Sequence, residues 1–124
     1  MRDGGRVLPR REILVIDDDP DIREGLAEAL KSEGYAVRTA VDGYDALRQL
    51  RSRTADVILL DLMMPRMDGW QFRVAQKREQ AGIASIPVIV VTASGAEFTD
   101  ANAVLRKPFD IFDLLRVVKR CVLE

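Results

Sequence analysis

Five short apolar runs divide the chain, and most of them stop abruptly at a polar or charged residue. Residues 13–16 are continuous and mainly β-branched, and they break off at Asp17, Asp18 and Asp19. That is the pattern of a short strand buried on both faces. Residues 35–40, 57–60 and 87–91 repeat it, the third run ending in Asp61 and the fourth at Thr92, and residues 103–105 give a fifth strand just before Lys107 and Pro108. Between the runs the period becomes helical. Asp19 and Pro20 supply a capping carboxylate and a proline at the first helical position, Ile22, Leu26, Ala29 and Leu30 share one stripe, and Gly34 ends the helix. Asp42 caps a short helix carrying Ala46, Leu47 and Leu50. Pro65 and Gly69 mark a turn, and a further helix is predicted over 70–80. The last helix starts at Asp110, with Asp113 forming an approximate capping box, and its buried set is Ile111, Leu114, Leu115, Val118, Cys121 and Val122.

Unbroken apolar strands that alternate with helices predict a parallel sheet covered on both faces and joined by right-handed crossovers, a doubly wound α/β domain. Such sheets bind ligands at the carboxyl ends of their strands, beside the point where strand order reverses. In this chain those ends carry Asp17, Asp18, Asp61, Thr92 and Lys107. A length of 124 residues is that of one self-sufficient domain. Residues 1–11, MRDGGRVLPRR, have only Val7 and Leu8 as an apolar centre and read as a mobile tail rather than a signal peptide, leaving 12–124 as the folded unit. No run approaches the length of a membrane span, so no membrane insertion is expected.

Composition narrows the chemistry. Nineteen Lys and Arg stand against 20 Asp and Glu, a formal charge of −1, which gives none of the basic footprint of a direct nucleic-acid binder. A single cysteine, Cys121, excludes an internal disulfide, and the absence of histidine excludes imidazole-rich metal sites. A reducing, cytoplasmic setting is expected. Three carboxylates gathered at one sheet edge raise one another's pKa unless a cation sits among them. With oxygen ligands alone the fitting ion is hard, and one or two carboxylates completed by a backbone carbonyl and water suit magnesium. Lys107 offers a point charge to an incoming phosphoryl group, and the Thr92 hydroxyl can bond one of its oxygens. Asp61, fixed at a strand end, is a competent nucleophile for an acyl phosphate.

The segments VIDDDPDIRE, LLDLMMPRMDGW, VVTAS and LRKPF resemble, in order, the motifs of response-regulator receiver domains, the CheY-like family of two-component signalling, over roughly residues 12–124. The resemblance implies a flavodoxin-like five-stranded sheet of order 2-1-3-4-5 with helices on both faces. It implies Asp61 as phosphoacceptor, Asp18 as a direct magnesium ligand, Asp17 as a supporting one, and Met63 as donor of a backbone carbonyl. Thr92 is expected to swing toward the phosphoryl group, Lys107 to contact it, and the Lys107–Pro108 bond to be cis. The phosphoryl donor is expected to be a histidine kinase or phosphotransfer protein. The chain is then no conventional enzyme, but assists its own magnesium-dependent phosphorylation and dephosphorylation. No output domain is expected after Glu124 unless the chain is a segment of a longer regulator, so signalling is expected through contact with a protein partner, by a monomer or weak dimer.

Two features depart from the family pattern. Thr92 and Lys107 are 15 positions apart, where the family usually fits a full fourth helix, so ASGAEFTDANAVLR is predicted as an irregular loop or a single turn. Val104 stands three positions before Lys107, where the family tends to carry an aromatic residue. Both touch the usual output face, which keeps open an alternative, a receiver-like scaffold that binds partners independently of phosphorylation. A small aspartyl-phosphate hydrolase, suggested by the D-x-D of Asp17 and Asp19, is disfavoured by the chain's length, and Asp19 reads as a helix cap. Trp70 and Phe72 read as packing residues, and the Arg-rich stretch 48–53 as a solvated helix end. Phe112 and Val117 fall off the core stripe of the last helix, where a partner surface would lie.

Overall fold

Every residue of Val57–Asp61 and of Val88–Thr92 is buried, as expected for central strands with helices above and below them. The computed structural model describes residues 2–3, 6–7, 10–93 and 100–123. Its five main strands are β1 (Glu12–Ile16), β2 (Ala36–Ala40), β3 (Val57–Asp61), β4 (Val88–Thr92) and β5 (Ala103–Arg106). They form one parallel sheet in the order β2-β1-β3-β4-β5, the predicted order. The strand order reverses between β1 and β3. Ahead of the sheet, Arg2–Asp3 pairs antiparallel with Arg6–Val7.

The helices are α1 (Pro20–Ser32), α2 (Gly43–Ser52), α3 (Gly69–Lys77), the single turn α4 (Ala81–Ala84) and α5 (Ile111–Leu123). Alternation along the strands sorts the core into two layers. Leu14, Ile16, Ile58, Leu60, Val88 and Val90 pack with Leu47, Leu50 and Phe72 of α2 and α3. Ile13, Val15, Val57, Leu59, Ile89 and Val91 pack with Leu30 of α1 and Leu114, Val118 and Cys121 of α5. Phe72 is fully buried, as its reading as a packing residue anticipated.

Several boundaries differ from expectation. The helix predicted over 70–80 starts one residue earlier, where Asp68 and Gln71 form a reciprocal capping box, and ends at Lys77. It stops because 78–80 are Arg, Glu and Gln with nothing apolar to bury, whereas Ile83 and Ile86 further on are both buried. The break is held by the fully buried Gln76, whose Nε2 donates to the carbonyls of Ile83 (3.0 Å) and Ile86 (3.2 Å) while Oε1 accepts from Arg73 Nη1 (2.8 Å). Gln76→Leu leaves those carbonyls without that donor and is expected to cost about 2–4 kcal/mol in urea unfolding. A loss below about 0.5 kcal/mol would show that the amide does not hold α4.

Tyr35 lies outside β2, and on α1 the buried positions are Ala27 and Leu30, with Ile22 on the surface. On α5 the stripe is turned slightly. Ile111 is exposed, and Val117, expected off the stripe, packs partly against the second core layer, whereas Phe112 is 73% exposed. The predicted loop between β4 and β5 falls mostly on residues 94–99, outside the described residues. Its far end is fastened to α3, where Arg73 Nε donates to the Asp100 carbonyl (3.0 Å) and Lys77 pairs with the Asp100 carboxylate.

Candidate functional site

Register brings the polar strand ends together. Ile16 pairs with Leu60, Asp61 with Val91, and Thr92 with Arg106, so Asp17, Asp61, Thr92 and Lys107 sit at the same edge of neighbouring strands, at and beside the reversal point. Carboxylate oxygens of Asp17, Asp18 and Asp61 lie within 4.8 Å of one another, with Asp17 and Asp61 buried and Asp18 exposed. Asp19 stands apart. Its side chain caps α1, accepting from the amides of Asp21 (2.9 Å) and Ile22 (3.4 Å).

The backbone around the cluster is fixed from several sides. Asp17 Oδ1 accepts from the Asp19 amide at 3.0 Å, and Arg23 Nη1 donates to the Asp17 carbonyl at 2.9 Å. Asp61 Oδ1 accepts from the Met63 amide at 3.3 Å, which places Met63 directly beside the cluster. The Lys107 amide donates to the Thr92 carbonyl at 2.8 Å. The Lys107–Pro108 bond is cis. Thr92 is fully buried, and its Oγ1 donates to the Ala93 carbonyl at 3.1 Å. Val104 is partly buried against the α2 and α3 layer.

Electrostatics single out Asp61. Burial, and next the negative charge of Asp17, push its carboxyl up from 3.8 to about 6, against the opposing pull of the Met63 amide and the Lys107 charge. Burial raises Asp17 as well, with Lys107 again pulling the other way. Crowded carboxylates held this way fit a hard divalent cation, because all the side-chain donors are oxygens and one added charge would relieve their mutual repulsion. The cluster is consistent with the metal site typical of receivers.

The loop joining Asp61 to α3 holds what sequence reasoning missed. Gly69 packs against the end of β3 so closely that an added Cβ would lie 2.8 Å from Leu62 Cα and 3.2 Å from the Asp61 carbonyl oxygen. Gly43 faces the same loop, but an added Cβ there would meet only the side chain of Met67. Gly69→Ala is therefore expected to cost about 1–3 kcal/mol, and Gly43→Ala less, because a methionine side chain can swing aside and backbone cannot. Equal losses in thermal unfolding would contradict that distinction. Arg66, in the same loop, pairs with the buried Asp42 at the start of α2, and its guanidinium lies 5.9 Å from the centre of the Tyr44 ring. The sequence shows Asp42 only as a helix cap. Nothing in the spacing signals a partner 24 positions away.

An open parallel sheet with buried carboxylates at its reversal point, flanked by a threonine and a lysine, defines a doubly wound, flavodoxin-like α/β protein with a site suited to a hard cation. The chain belongs to the response regulator receiver domain family, which its residues 13–119 match. It is thus a receiver domain of two-component signalling, not a conventional enzyme, and receiver domains partner histidine kinases. It is 36% identical over 115 residues to Protein PilG of Pseudomonas aeruginosa, covering 87% of this chain and 84% of that protein. It is also 48% identical over 82 residues to the sensor histidine kinase RcsC of Escherichia coli, covering 66% of this chain but only 8% of that much longer protein. Among solved structures, chemotaxis protein CheY4 of Vibrio cholerae superposes with a TM-score of 0.82 at 29% identity, covering 91% of this chain and 99% of that one. Among the described residues, no helix is long and apolar enough to cross a membrane.

Proposed function

We propose that this chain accepts a phosphoryl group on Asp61 from a histidine kinase or phosphotransfer protein, with magnesium, and that this switches its contacts with a downstream protein. The observation that carries the reading is the convergence of Asp17, Asp18 and Asp61 within 4.8 Å at the sheet's reversal point. Asp18 and Asp61, supported by Asp17 and joined by the Met63 carbonyl, would hold the ion. Magnesium, when bound, offsets the negative charge of both the carboxylates and the arriving phosphoryl group.

An Asp61 oxygen attacks phosphorus, the bond from phosphorus to the donor nitrogen breaks with its electron pair remaining on that nitrogen, and an acyl phosphate forms. With a carboxyl pKa of about 6, Asp61 is mostly ionised at neutral pH and ready to attack. Lys107, whose charge already acts on both Asp61 and Asp17, would meet the new phosphoryl oxygens. Thr92 Oγ1, which donates to the Ala93 carbonyl, would exchange that acceptor for a phosphoryl oxygen. Such an exchange of partners favours one of two conformations, which is what a switch requires. A cytoplasmic location, where such donors act, belongs to the same proposal.

Backbone amide spectra recorded with magnesium, before and after adding a stable phosphoryl mimic, provide the test. Resonances of Asp61, Met63, Thr92 and Lys107 are expected to move, and the response should disappear in Asp61→Asn. Unmoved spectra in the native chain, or an equal response in the variant, would defeat the assignment.

A further inference from the structure

Arg66 has φ of +66°, and among the described residues it is the one non-glycine residue with a positive φ. Side chains seldom adopt that conformation unless surrounding contacts hold it. The contacts are visible. The Arg66 guanidinium pairs with Asp42 Oδ2 while Asp42 Oδ1 accepts from the Asp45 amide at 2.8 Å, so one buried carboxylate both caps α2 and grips the loop. The Tyr44 ring lies beside the same guanidinium, and Met67 packs against Gly43 of α2. At its other end the loop closes on itself just past β3, where the Gly69 amide donates to the Leu62 carbonyl at 2.9 Å.

We propose that Arg66 is a positioning residue for the acidic site, holding the loop between Asp61 and α3 against α2 so that the Met63 backbone stays beside the Asp61 carboxylate. The inference rests on the reading of that cluster as a magnesium site. Met63 lies between two anchors, its own amide on Asp61 and the Arg66–Asp42 pair three residues further on. Without the second anchor, Arg66 relaxes to ordinary backbone angles, and the Met63 carbonyl is no longer held where an ion sharing Asp61 would need it. Outer groups that orient metal ligands in this manner commonly govern affinity by an order of magnitude or more.

Magnesium affinity measured by calorimetric titration, with thermal unfolding in the absence of magnesium as a parallel readout, separates positioning from general support. Arg66→Ala is expected to weaken magnesium binding by about tenfold. Asp42→Asn, which keeps a competent helix cap but lacks the charge, is expected to do the same. Arg66→Lys should recover part of the loss. The double variant should bind no more weakly than the worse single one, because both changes remove the same link. The Arg66 side chain is 68% exposed, so its replacement leaves the core intact. Affinity within about twofold of native in both single variants, or fully additive losses in the double, overturns the proposal. A native chain that binds no magnesium removes the site reading and this inference with it, whereas native binding unchanged by Arg66→Ala removes this inference alone.

Discussion

A small-molecule phosphodonor with magnesium is expected to add one phosphoryl mass to the native chain and none to Asp61→Asn. The two side chains have nearly the same shape, so the variant keeps its fold and its Met63 amide can still find a carbonyl oxygen. What the variant lacks is the charge that makes the side chain a nucleophile. The result is all or nothing because, among the described residues, no other carboxylate has the same setting: Asp18 is exposed, Asp19 caps α1, and Asp17 is turned to the Asp19 amide. Intact-mass measurement reads the outcome directly. Phosphoryl mass of equal size on the variant would move the acceptor elsewhere, and none on the native chain would remove the chemistry altogether.

The same variant is expected to be more stable than the native chain at neutral pH without magnesium. Folding raises the Asp61 carboxyl from 3.8 to about 6, so between those values the folded state holds the proton more tightly than the unfolded one. The contribution of this group is therefore most favourable below pH 4, falls as pH rises from 4 to 6, and stays low above that. A rise of this size corresponds to at most about 3 kcal/mol. The native chain should thus match Asp61→Asn near pH 4 and fall behind it by pH 7. Asp45, held below its ordinary value chiefly by its bonds to Arg48 and Val41, slopes the opposite way, and the comparison with Asp61→Asn cancels it.

If the ionised cluster holds magnesium as proposed, the ion should close the gap at pH 7, by about 2.7 kcal/mol at a hundred times its dissociation constant, while doing little near pH 4. Urea unfolding at both pH values, with and without magnesium, reads all of these. A gap independent of pH, or a magnesium effect of equal size at both, would show that the cluster does not carry this charge strain.

The fold was legible because its signals are local. Apolar runs of four or five residues ending in Asp17, Asp61 and Thr92 mark strands and their carboxyl ends together, so the same pattern that predicts the sheet also predicts the site. Asp19 before Pro20 signals a cap on its own, and the structure shows it as one. What could not be seen depends on pairs distant in sequence. Nothing in the sequence around Gln76 signals burial, yet it is fully buried, its amide bonded to two carbonyls beyond the end of α3. Arg66 sits in a turn signal that fixes neither its φ nor its partner. The break after Lys77 is held by the Ile83 and Ile86 carbonyls that Gln76 binds, and the helical spacing of the apolar positions does not show it.

The strand that carries Asp61 is also among the most buried in the sheet, flanked by β1 and β4 with both faces covered. In terms of hydrogen exchange, its amides are expected to belong to the unit that opens only when the whole domain opens, whereas exposed helix ends fray at far lower cost. The charge strain in the acidic cluster is thereby imposed on the most cooperative part of the molecule. It cannot be relieved by local melting, only by a proton, a cation or global unfolding.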